Sequence, residues 1–128
     1  MKINIILYND TSYEEFLVDS LDEIETINIS NKNIWIDIVG PYEEEDIIKL
    51  GNYYEINSLV LRDVLEEETI SKYENFNEYL YIAFGITKLD IEEFKSLENV
   101  RINFILYKDK LITIRPDEYK VINDIKFM

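Results

Sequence analysis

Cysteine and histidine are both absent from this chain. Without cysteine there are no disulfides, thiolate metal sites or sulfur nucleophiles. Without histidine, the commonest general base and the commonest transition-metal ligand are missing. The chain by itself therefore builds neither a zinc enzyme with histidine or cysteine ligands nor a Ser-His-Asp hydrolase. Oxygen donors remain, and these suit hard cations such as magnesium or calcium. Glycine (3) and proline (2) are scarce, which leaves little flexible linker. Basic residues are few: 13 Lys and Arg stand against 27 Asp and Glu, for a net charge of −14. Nucleic acid and anionic lipid both require basic patches, so they are poor partners for this chain. Cations or a basic protein surface fit this field, although solubility alone also explains it. No apolar run reaches the ~18 residues of a membrane helix. The start, Met1 to Tyr8, is too short and too quickly polar for a signal peptide. The chain as given reads as soluble and intracellular.

What is present is an ordinary share of hydrophobic residues, 47% over 128 residues. That is enough for one domain, 1–128, with a real core. Lys2–Tyr8 and Ile34–Val39 read as buried strands, the second nearly apolar on both faces. Asn9–Ser12 is a run of turn residues. Leu17, Leu21 and Ile24 then have helical spacing, which predicts a short helix running to Glu25. Gly40-Pro41 ends the second strand, and a helix follows over Tyr42–Tyr54, with Ile47, Leu50 and Tyr54 on one face and Ile48 beside them. Its acids Glu43–Asp46 complement the helix dipole, a sufficient structural reason for that run. Asn57-Ser58 caps another helix, Leu59 to about Glu67. Tyr73–Phe76 and Tyr79–Phe84 read as strands, the latter uncharged and expected to be central. Arg101–Tyr107 and Leu111–Arg115 read as a hairpin joined by Lys108-Asp109-Lys110. Thr87–Asn99 alternates poorly and carries no assignment. Asp117–Phe127 begins a further helix, with Tyr119, Ile122 and Ile125 on one side; this reads as a domain cut before its next elements. The pattern is α/β: a mixed parallel and antiparallel sheet of about six strands layered with helices. Trp35, the only tryptophan, and most of the 10 tyrosines read as packing residues.

The stretch Trp35 to Phe84 carries more. It runs Trp35-Ile36-Asp37, Gly40, a helix ending Leu50-Gly51-Asn52, then Leu59-Val60-Leu61-Arg62-Asp63, Lys72-Tyr73-Glu74 and Tyr79-Leu80-Tyr81-Ile82. In order and spacing this resembles the cytoplasmic domain of CorA-type magnesium transporters, and the hairpin from Asn103 to Ile114 is similar to that domain's last two strands. The resemblance implies a homopentameric parent, integral to the membrane, in which each subunit adds a long stalk helix and two membrane spans carrying a Gly-Met-Asn signature. Those parts are not in this sequence. The domain would lie on the cytoplasmic side of the cell membrane and touch the membrane only through them. The resemblance also implies that divalent cations bound between neighbouring domains hold the transporter closed. Asp63 matches one ligand, and its partner carboxylate lies on an adjacent subunit's stalk. The family often places an acid just before this aspartate, where Arg62 stands here. The cation would be magnesium, with cobalt or nickel as further candidates, and would bind weakly in the isolated domain.

Read without the family, Asp63, Glu66 and Glu67 stand at i, i+3 and i+4 and would share one helix face. Glu66–Glu68 at the C-terminal end of that helix oppose its dipole, by ~0.3–1 kcal/mol for each exposed group. A cation or a basic partner would offset this; a solvated acidic face is the plain structural explanation. The candidate metal ligands are thus Asp63, with Glu66 and Glu67. Two functions compete: a metal-sensing regulatory domain, and an acidic protein-interaction module without a metal role. An enzyme is not expected, because no phosphate loop, nucleophile elbow or histidine accompanies the carboxylates.

Overall fold

The computed structural model describes residues 1–27, 32–66, 71–89 and 97–116, with the backbone only along 86–89 and 97–100. Seven strands form one sheet: β1 (Lys2–Tyr8), β2 (Tyr13–Val18), β3 (Asn33–Val39), β4 (Lys72–Asn75), β5 (Tyr79–Leu89), β6 (Leu97–Tyr107) and β7 (Lys110–Arg115). Two helices, α1 (Glu44–Tyr54) and α2 (Ser58–Leu65), separate β3 from β4. The strand order is β2-β1-β3-β7-β6-β5-β4. Only β3 and β7 run parallel; every other neighbouring pair is antiparallel. The mixed α/β sheet expected from the pattern is therefore present.

The additional strand is β2, which replaces the helix expected before Glu25. Asn9 Oδ1 accepts hydrogen bonds from the Thr11 and Ser12 backbone amides, both at 2.9 Å. This side-chain-closed turn folds Tyr13–Val18 back onto β1, with Ile5 opposite Phe16. Pairing with a strongly β-forming neighbour overrides the weak helical spacing. Leu21 and Ile24 of that spacing are buried on a 3-10 helix, Leu21–Thr26, whose three-residue turn brings i and i+3 to the same side.

One face of the sheet and the two helices enclose the core. Ile3 and Ile5 of β1, Ile36 and Ile38 of β3, and Ile112 and Ile114 of β7 meet Ile47 and Leu50 of α1 and Val60 and Val64 of α2. Ile48, one step round α1, is exposed. Gly51 lies where the helices approach: a Cβ there would meet the Leu61 side chain of α2, which would have to turn aside. Gly40 is needed at the end of β3. Its amide donates to the Arg115 carbonyl at 2.8 Å, and a Cβ would lie 2.6 Å from the Pro116 carbonyl oxygen.

The uncharged Tyr79–Phe84 lies in β5, an interior strand next to the edge strand β4 rather than at the centre, which β7 occupies. β5 and β6 pair from Tyr79 opposite Tyr107 to Leu89 opposite Leu97. Both strands thus extend into the stretch Thr87–Asn99 that sequence left unassigned. Trp35 is half-buried on the sheet face opposite the helices, where its Nε1 donates to Thr113 Oγ1 at 2.9 Å. The helix expected over Asp117–Phe127 lies outside the described residues.

Candidate functional site

Asp63 sits on the last turn of α2. The helix is started by Asn57, whose Oδ1 accepts from the Leu59 amide at 2.8 Å, as the sequence anticipated. It stops at Leu65, two residues earlier than expected. Glu66 is its C-cap in an extended conformation, and its amide closes onto the Arg62 and Asp63 carbonyls, each at 3.2 Å. The helical face that was to gather Asp63, Glu66 and Glu67 therefore ends before Glu66. Glu66 and Arg62 are both exposed, and Glu67 lies outside the described residues. Among the described residues no group of three or more acidic side chains is arranged to hold a metal ion.

What the structure brings to Asp63 is a cation from the chain itself. β4 begins immediately across from the end of α2. Lys72 Nζ lies 2.6 Å from Asp63 Oδ2 and 2.9 Å from Glu74 Oε1. Lys72 and Glu74 are two apart on one strand, so both side chains leave the sheet on the same face. That face is the core face, because Lys72 stands opposite Ala83 and Glu74 opposite Tyr81. The Asp63 side chain is 16% exposed, Glu74 35% and Lys72 39%. Asp63 is thus the shielded member, reached through a lysine that water can still solvate. Hydrogen bonds to Asp63 and then Glu74 hold the ammonium above the ordinary lysine range.

Behind this triad lies a buried polar layer. The Tyr81 hydroxyl donates to Asn103 Oδ1 at 2.7 Å and accepts from Arg101 Nη2 at 3.2 Å. Burial pushes the Tyr81 phenol up to about 12; Arg101 pulls it down, Asp63 raises it and Lys72 lowers it. Asp63 and Lys72 therefore act electrostatically on the layer beneath them. The corner carries two carboxylates, an ammonium and a guanidinium, and is close to neutral although the chain is strongly acidic.

Sequence reading singled out Asp63 and passed over the role of its neighbours. Lys72 and Glu74 were visible as opposite charges at i and i+2, the lysine just before the strand expected over Tyr73–Phe76; the observed strand is Lys72–Asn75. Nothing local indicated that the lysine would turn back onto the preceding helix. The shallow depression bordered by Gly51, Asn57 and Tyr79 contains none of these charged groups.

An α/β domain of seven strands in this order, with two helices packed on one face, is the class of protein that the fold defines. Residues 30–128 match the family model described as CorA-like Mg2+ transporter protein, and the chain belongs to that family. A curated relative is the cobalt/magnesium transport protein CorA of Thermotoga maritima. It is 25% identical over 108 residues, which are 84% of this chain and 30% of that protein. Among solved structures, the complete CorA magnesium transporter of Methanocaldococcus jannaschii superposes with a TM-score of 0.65 at 22% identity, over 99% of this chain and 36% of that one. The soluble domain of the same transporter gives 0.66 at 21% identity, over 98% of this chain and 44% of that one. The ZntB cytoplasmic domain of Vibrio parahaemolyticus gives 0.65 at 12% identity, over 98% and 48%. These likenesses establish the fold, and this chain spans less than half the length of each of these relatives. Among the described residues, no helix is long and apolar enough to cross a membrane.

Proposed function

We propose that this chain is the cytoplasmic, metal-sensing domain of a CorA-type divalent-cation transporter, and that Asp63 contributes one carboxylate to a regulatory site completed by a neighbouring subunit. The supporting observation is the position of Asp63. It is a shielded carboxylate at the end of α2, on a domain with the fold of the family's soluble part. Magnesium keeps several waters and is bound through few carboxylates, so one well-placed aspartate is a reasonable half-site. Glu66, exposed beside it, and Glu67 would add negative potential rather than fixed coordination. Cobalt or nickel would compete for the same oxygen donors. The full-length protein would be a homopentamer, and the domain has a sensing role, not an enzymatic one.

The test uses the full-length transporter. The magnesium concentration at which the cytoplasmic part becomes protected from protease gives a midpoint for closure. Asp63→Ala raises that midpoint about tenfold, a typical size for coupling between sites. An unchanged midpoint removes Asp63 from the sensor.

A second reading is an acidic interaction module, favoured by the neutralisation of Asp63 by Lys72. In that case association with a basic partner depends on ionic strength and not on divalent cations.

A further inference from the structure

Lys72 holds the place at Asp63 that an external cation would take. Its Nζ contacts two carboxylates at 2.6 and 2.9 Å, and these belong to different elements, α2 and β4. The ammonium is tethered by a flexible four-carbon stem and the lysine side chain is 39% exposed, so it can swing into water without unfolding the strand that carries it. A divalent ion that binds Asp63 through Oδ2 must take that oxygen from the lysine.

We infer that Lys72 is a resident competitor whose displacement sets both the affinity and the charge selectivity of the cation site at Asp63. The inference rests on the reading of Asp63 as a sensor ligand. Electrostatics supply the selectivity. A monovalent ion that replaces the ammonium exchanges one positive charge for another and loses the advantage of a tether. A divalent ion brings twice the charge to the same carboxylate, and the attraction scales with that charge. The site would then ignore the large excess of monovalent cations in a cell and respond to divalent ones. Glu74 is a positioning residue in this arrangement: it holds Lys72 beside Asp63, and it receives the ammonium when Asp63 lets go. The exchange needs no change of protonation.

The experiment compares protease-protection midpoints of the full-length transporter for magnesium, at low and high potassium chloride. Lys72→Met lowers the magnesium midpoint about tenfold and makes it rise with potassium, because two uncompensated carboxylates now attract monovalent ions. Lys72→Arg, which keeps the charge, leaves the midpoint near that of the unaltered protein and controls for folding. Glu74→Gln moves the midpoint the other way, since the displaced ammonium then has no second carboxylate to receive it. In the Asp63→Ala background, Lys72→Met has no further effect. A Lys72→Met midpoint that is unchanged or raised, while Asp63→Ala still shifts it, overturns the competitor role alone. A midpoint insensitive to Asp63→Ala overturns the sensor reading itself.

Discussion

Arg115 and Asp37 are joined by two hydrogen bonds, Nη2 to Oδ2 at 2.8 Å and Nε to Oδ1 at 3.2 Å, and neither side chain has any exposed surface. Thr113 adds a third, its hydroxyl donating to Asp37 Oδ1 at 2.8 Å. The three residues lie on β3 and β7, the parallel pair at the middle of the sheet. Their face is opposite the helices, because Ile36, Ile38, Ile112 and Ile114 take the other. Trp35 completes the row through Thr113.

Removing one partner of this ion pair leaves a buried charge without compensation. Arg115→Met and Asp37→Leu should each destabilise the domain by ~3–5 kcal/mol, and the double substitution by much less than their sum. Urea unfolding followed by the fluorescence of Trp35 measures this directly. Additive losses would show that the pair is not coupled.

Two glycines should respond differently to alanine. At Gly40 a Cβ meets the Pro116 backbone at 2.6 Å, which cannot yield without moving the end of β7. Gly40→Ala should cost ~1–3 kcal/mol, as overpacking does. At Gly51 the obstacle is the end of the Leu61 side chain, which can turn aside. There the helix also gains ~0.5–1 kcal/mol from replacing glycine. Gly51→Ala should therefore be the milder change in denaturant midpoint.

Asn57→Ala removes the acceptor of the Leu59 amide and should cost ~1 kcal/mol. Asn57→Asp, which keeps an acceptor, should be nearly neutral. Equal losses for both would mean that the side chain does not cap α2.

Stability should fall in alkali, and the sign follows from the direction of the shifts. Burial raises the Tyr81 phenol from 10.0 to about 12, and burial raises Tyr42, Tyr54 and Tyr107 as well. Lys72 is raised above 10.5 by its carboxylate partners. A group whose folded pKa is raised contributes fully below its unfolded value, and that contribution is lost as pH climbs toward the folded value. The loss should therefore begin near pH 10.0 and grow above it. Denaturant midpoints taken below and above the ordinary tyrosine range test this, and tyrosinate absorbance should show a late-titrating fraction. A flat profile would contradict it.

Much of this architecture was legible because its signals are local. β1, β3, β7 and the Phe104–Tyr107 part of β6 are rich in β-branched and aromatic residues, and Asn57, Gly40 and the acids in the first turn of α1 mark ends that the structure respects. Asp63 was singled out for a different reason: it sits in a motif resembling a family pattern. β2 was misread because Leu17, Leu21 and Ile24 fit a helix when counted alone. Leu17 instead stands opposite Asn4 in β1, and only Leu21 and Ile24 keep a helical turn, on the 3-10 helix that follows. α2 was drawn too long because an acidic run says nothing about where the backbone leaves the helix.

Composition and periodicity by themselves determined the chemistry available to this protein, oxygen ligands and a strongly negative field, and the succession of most strands and helices. Tertiary structure alone decided that β3 lies beside β7, that Asp37 finds Arg115 and that Lys72 turns onto Asp63. Each is a contact between two different elements, and none falls within the single strand or helix where periodicity is read. Such contacts depend on how the chain crosses over and on which charges must be compensated once water is excluded, and no local pattern records either.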